Sequence, residues 1–118
     1  MIRFAIALML LLTLVLPATA VAQATDDCPM MPTIAALSAC VQHAVDMGHI
    51  TNKGVARSLL AELKTAQTAL DRGQPRAAIA LLRVFVREVE ALSGRFIEPA
   101  HAAHMVEHAQ LVIQALQR

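Results

Sequence analysis

The sequence predicts an all-α fold: a small bundle of about four helices, with an antiparallel helical hairpin (about 51–72 and 75–93) at its centre. Three observations carry that prediction. Past residue 33, apolar residues recur at spacings of three and four, and no stretch alternates as a strand does. Glycine and proline stand where helices must stop and start, at Gly48, Gly73, Pro75, Gly94 and Pro99. Residues 70–92 (LDRGQPRAAIALLRVFVREVEAL) pack a stop, a start and the most apolar helical run outside the leader into one stretch.

The leader comes first. Residues 1–24 read as a secretory signal peptide. Arg3 precedes an apolar run that continues to Leu16, and Pro17 breaks it. The small-residue triplets ending at Ala20, Ala22 and Ala24 are each an A-x-A-like cleavage site, which places cleavage near 22–24. The run is short against the roughly 20 residues that span a bilayer, which argues against an uncleaved anchor. Thr25-Asp26-Asp27 before Cys28 is no lipobox. Residues 25–118 are then expected to form a single helical domain, secreted or periplasmic, with no membrane role after cleavage.

Within that domain the two cysteines, Cys28 and Cys40, would meet an oxidising compartment, where an even pair most simply forms a disulfide. Free thiols, metal ligands or an intermolecular bridge are the alternatives. A Cys28–Cys40 bridge would pin the segment Pro29-Met30-Met31-Pro32 to the first helix and add about 2–3 kcal/mol on the loop-entropy account.

The first helix is expected over about 33–47, with Thr33 as N-cap, Gly48 as the stop, and Ile34, Leu37, Val41 and Val45 on one face. The second runs over about 51–72 on the stripe Val55, Leu59, Leu63, Ala66 and Leu70. The third starts at Pro75, whose missing N–H costs nothing in a first turn. At about 100° per residue, Ala78, Leu81, Leu82, Phe85, Val89 and Leu92 share an arc, flanked by Val84 on one side and by Val86 and Ile79 on the other. That apolar surface is wide, so this helix is expected to be central, with neighbours on several sides. The link 72–75 is short, which calls for a hairpin. The fourth helix spans about 99–116 on Met105, Ala109, Val112, Ile113 and Leu116, with Phe96 and Ile97 covering one end of the core.

The order of residues across these helices resembles a known module. Gly48 and Ile50, Gly54, the run SLLAEL at 58–63, then Ala66, Ala69, Leu70 and Gly73, then Ala77, Ala78, Leu82, Phe85, Val89 and Ile97, and finally Ala103, Ala109, Ile113 and Leu116, are similar to the FIMAH-type helical module over roughly 48–118. The family's Phe-Ile pair is Phe85-Val86 here, and residues 28–47 lie outside the match. The resemblance implies an accessory, non-catalytic domain of secreted or surface bacterial proteins, and it carries no functional residues to transfer.

Composition narrows the function classes. The chain has 10 Lys and Arg against 9 Asp and Glu, and only Arg3 is lost with the leader. That balance gives no reason to expect nucleic acid or an anionic membrane surface as partner. Past the leader the only aromatics are Phe85 and Phe96, so the stacking platforms of sugar sites and single-strand nucleic-acid sites are missing. There is no Gly-rich phosphate loop, no G-x-S-x-G and no carboxylate pair marked as acid and base, so no enzyme is expected.

The sharpest local feature is His101, His104 and His108, which share about 60° of a helix face. Imidazoles so placed could ligate Zn²⁺, Cu²⁺ or Ni²⁺, with Glu98 or Glu107 adding a carboxylate; the plain reading is polar residues on a helix shoulder. His43 and His49 are read as favourable charges near the end of the first helix. Arg76, Arg83 and Arg87 form a basic stripe on the third helix with Glu90 on the same face: a solvated face, or a contact for an anionic polymer or partner domain. The functional expectation is an exported, non-catalytic interaction or structural module, without a cofactor, whose partner would be another secreted or surface protein. The alternatives are a small metal-binding protein using the histidine face, and a partner or inhibitor of a secreted enzyme.

Overall fold

Each helix begins and ends where the local residue suits the job. The computed structural model describes residues 28–118, so the signal-peptide reading of residues 1–24 lies outside the described residues. Helix α1 (Ile34–Asp46) is capped by Thr33, whose Oγ1 accepts the Ala36 N–H at 3.1 Å. Helix α2 (Lys53–Asp71) is capped by Asn52, whose Oδ1 accepts the Val55 N–H at 3.0 Å. Each cap satisfies a donor that has no partner within its helix. Helices α3 (Pro75–Leu92) and α4 (Pro99–Leu116) have no side-chain cap; each opens on a proline, which removes one such donor instead.

The stops are equally local. Gly48 and Gly73 sit at φ 79° and 72°, a conformation that costs other residues a Cβ clash. At both, the chain closes a Schellman motif. Gly48 N–H donates to the Val45 carbonyl and His49 N–H to that of Ala44; Gly73 N–H donates to Leu70 and Gln74 N–H to Ala69. All three N–H groups of the link between α2 and α3 thus donate to carbonyls of α2.

The helices pack in a ring: α1 on α2, α2 on α3, α3 on α4, and α4 back on α1, while the diagonal pairs do not meet. Phe85, Leu37, Leu59, Leu63, Leu82, Val41, Val89 and Val112 fill the centre and are fully buried. The ring corrects one expectation, because α3 has two neighbours and is not enclosed. Its arc Ala78, Ile79, Leu82, Phe85 and Val89 is buried, but Val84 on the flank is 42% exposed, and Leu81, Val86 and Leu92 are only half-buried.

One polar pair lies within the α2/α3 contact. Glu62 is partly buried beside Glu88, and its carboxyl pKa is pushed up to about 8, first by burial, then by the hydrogen bond and charge of Glu88. Glu62 so placed holds its proton, because ionising it in a partly buried site beside Glu88 is costly. An acid with a raised folded-state pKa keeps its proton after the unfolded chain has lost its own. Its contribution to stability is thus complete below the ordinary value of 4.5 and is lost as pH rises through about 8. Glu62→Gln should remove this decline. Near pH 9 it should gain about 1 kcal/mol over the parent, a figure discounted for solvent screening at a half-buried site. Urea midpoints measured near pH 5 and near pH 9 check it; the same pH slope in both proteins would contradict a raised Glu62 pKa.

Candidate functional site

Two loops meet at one end of the bundle. After the Gly48 turn, His49 C=O accepts the Glu98 N–H at 3.0 Å, and Thr51 N–H donates to the Phe96 carbonyl at 2.9 Å. Between these bonds, Ile50 and Ile97 pair as an antiparallel bridge, and both side chains are buried. The α1–α2 loop is thereby sewn to the α3–α4 loop. The stitching sets His49 against the start of α4, where Glu98 is the N-cap residue and His101 stands one turn on.

The three side chains converge. His49 Nδ1–H donates to Glu98 Oε2 at 2.6 Å, and His101 Nδ1 lies 3.5 Å from the same oxygen. The imidazoles stack, with centroids 3.6 Å apart and planes 15° from parallel. Both histidine side chains are 20% exposed and Glu98 is 49% exposed, so Glu98 is the member most open to solvent, while His101 Nδ1 is buried. Its ligand atoms lie within 4.8 Å of one another.

The histidine face expected on α4 is therefore divided. His101 joins His49 and Glu98. His108 points into the core: it is fully buried, and its Nε2–H donates to the Met31 carbonyl at 2.7 Å. A carbonyl only accepts, so Nε2 carries the proton and Nδ1 has the lone pair. Burial pushes the His108 pKa down, the nearby His104 adds to that, and the Met31 bond opposes it. His104 meets His108 edge-on at 6.5 Å. His104 Nε2 and His108 Nδ1 are buried without a hydrogen-bond partner among the described residues. His49, read from sequence as a helix-end charge, is the member that local reasoning missed. No nearby residue announces it, because its partner lies 49 positions away.

Cys28 and Cys40 are free thiols in the structure, so the expected bridge is not formed there. They nevertheless lie together: the Cys40 pKa is pushed up to about 12, chiefly by burial and then by the hydrogen bond and charge of the Cys28 thiol beside it. A thiol so protonated is a poor nucleophile.

A second surface feature runs between α3 and α4. A depression of about 540 Å³ is lined by Arg83, Val86, Arg87, Gln110, Ile113, Gln114 and Gln117. At Arg83 and Gln117 it adjoins another of about 470 Å³, bordered by Pro75, Arg76, Ile79 and Leu116. All three arginines of the stripe are exposed, and none has a carboxylate partner among the described residues. Glu90 does not line this groove; with Glu107 it borders a further depression that meets the groove at Gln110. One wall thus carries guanidinium groups, the other carboxamides, and the floor is apolar.

A family model for the FIMAH domain matches residues 34–114. That match takes in α1, which lies outside the residues 48–118 that carry the resemblance in sequence. No curated protein and no solved structure matches the chain.

Proposed function

The chain belongs to the FIMAH domain family, and from that premise we propose that it is an exported, non-catalytic helical module that holds an acidic, partly apolar segment of another secreted or surface protein. One observation carries the reading: the α3/α4 groove, with three arginines, no acid and an apolar floor. The arginines suit carboxylates, which they can grip in a bidentate manner. The floor of Ile79, Val86, Ile113 and Leu116 suits aliphatic side chains, and the groove offers no aromatic for a sugar to stack on. An inhibitor of a secreted enzyme would be one form of the same docking role. In an exported chain the adjacent Cys28 and Cys40 thiols would oxidise to the bridge expected from sequence.

The test is a titration of the isotope-labelled domain with short acidic peptides carrying Leu or Ile one helical turn from each carboxylate. Amide shifts should map to α3 and α4 around Arg83 and Gln110. Charge reversal by Arg83→Glu should weaken binding at least tenfold, and added salt should weaken it in the parent. Shifts confined to α1 and α2, or none, would remove the groove from the function. Amino-terminal sequencing of the chain from an expressing bacterium checks export: a start near residue 23–25 is expected.

A further inference from the structure

We propose that His49, Glu98 and His101 form a binding site for a divalent first-row transition-metal ion, a site different from the α4 histidine face and independent of the groove.

Donor chemistry sets the class of ion. Two imidazoles and one carboxylate suit zinc and its neighbours, whereas Ca²⁺ and Mg²⁺ prefer oxygen donors alone. Three protein ligands would leave one or more positions for water or an outside ligand.

The ligand atoms are already close, and taking up an ion requires a local rearrangement of them. In a tetrahedral zinc site with metal–ligand bonds near 2.0 Å, ligand atoms lie about 3.3 Å from one another. His101 Nδ1 and Glu98 Oε2 are already 3.5 Å apart. The 2.6 Å contact between His49 Nδ1 and Glu98 Oε2 is a hydrogen bond, too short for two ligands of one ion. It would open by about 0.7 Å as the ion replaces the shared proton. Glu98 has room to do this, since its side chain is half exposed.

The support beneath is rigid where it matters. The His49 carbonyl is bonded to the Glu98 N–H, buried Ile50 and Ile97 pair beside that bond, and His101 stands on the first turns of α4. The ring stack holds the two imidazoles nearly parallel, so their lone pairs lie in separate planes, and one ring must tilt about its Cβ–Cγ bond to aim at a shared ion. One force acts against a cation, the positive end of the α4 dipole, and the Glu98 carboxylate opposes it at close range.

Calorimetric titration with Zn²⁺ alone tests the site, on chelator-washed protein carrying Cys28→Ser and Cys40→Ser so that thiols cannot compete. One ion should bind per chain, and excess Mg²⁺ should not displace it. His49→Ala, His101→Ala and Glu98→Gln should each weaken binding at least tenfold, while His104→Ala should leave it unchanged. Zinc should also raise the melting temperature of the parent but not of these three variants. Melts without metal show whether each variant is folded; if either alanine variant is not, Glu98→Gln decides, since it keeps the shape of the side chain. No heat with the parent, binding that survives His49→Ala in a folded protein, or binding lost in His104→Ala would overturn the assignment.

Discussion

Phe85→Ala is expected to cost the domain about 3–5 kcal/mol, the largest loss of any single truncation considered. Phe85 is the largest fully buried side chain, and it stands on the α3 face turned toward the bundle centre, together with Leu82 and Val89. Its removal loses the transfer free energy of the ring and leaves a cavity that helices tied by short loops cannot close. A domain of this size has about 5–15 kcal/mol of stability in total, so a large part of it would go. The measurement is urea unfolding at neutral pH with the m-value fitted freely. A loss below about 1 kcal/mol would mean that this face of α3 is not packed as the structure has it.

His108→Ala is expected to come next, at about 2–4 kcal/mol. The ring is fully buried, and its Nε2–H is the bond that ties Met31, and with it the segment before α1, to α4. Truncation opens a cavity and leaves the Met31 carbonyl without that donor. His108→Gln separates packing from titration, because its amide can still donate to Met31. It should cost less than His108→Ala and change the response to acid. The His108 pKa is held below its ordinary 6.5, by burial first, so the folded chain resists a proton that the unfolded chain accepts. Stability from this group is complete above 6.5 and is lost as pH falls below that value toward the lower folded-state pKa. His108→Gln should flatten this acid limb, read as thermal midpoints between about pH 4 and pH 7. An unchanged slope would mean that His108 is not held neutral in the fold.

These two titrations oppose each other. In the window just below pH 6.5, Glu62 costs stability as pH rises, while His108 gains it. The parent can therefore look insensitive to pH in this window, and the single variants should expose opposite slopes.

Much of the fold was legible along the chain. The second helix was expected over 51–72 and runs Lys53–Asp71; the fourth was expected over 99–116 and runs Pro99–Leu116. Thr33, Gly48, Gly73, Pro75 and Pro99 act as their types suggest, because caps and stops involve groups within one or two turns. The middle of each core stripe, Leu59, Leu63 and Ala66 on α2 and Met105, Ala109, Val112 and Ile113 on α4, was readable because a fixed helical period carries burial into spacing. At the ends of α2, Ala56 and Ala69 are buried where Val55 and Leu70, only half-buried, were expected.

The site was not legible in the same way. On α4 the spacing of His101, His104 and His108 describes one helix surface, but the neighbours divide that surface. The α1–α2 loop claims His101, and the segment around Met31, 77 residues away in sequence, claims His108. The arginine stripe gained meaning only when α4 supplied the opposite wall and Glu90 fell outside it. Sequence by itself determined the helices, their ends and the middle of their buried faces, because those depend on neighbours along the chain. Only the tertiary structure decided which loops are stitched together, which histidine is core and which is ligand-like, and which charges share a groove. Those follow from the order in which the faces close around a common core, and no local spacing encodes that.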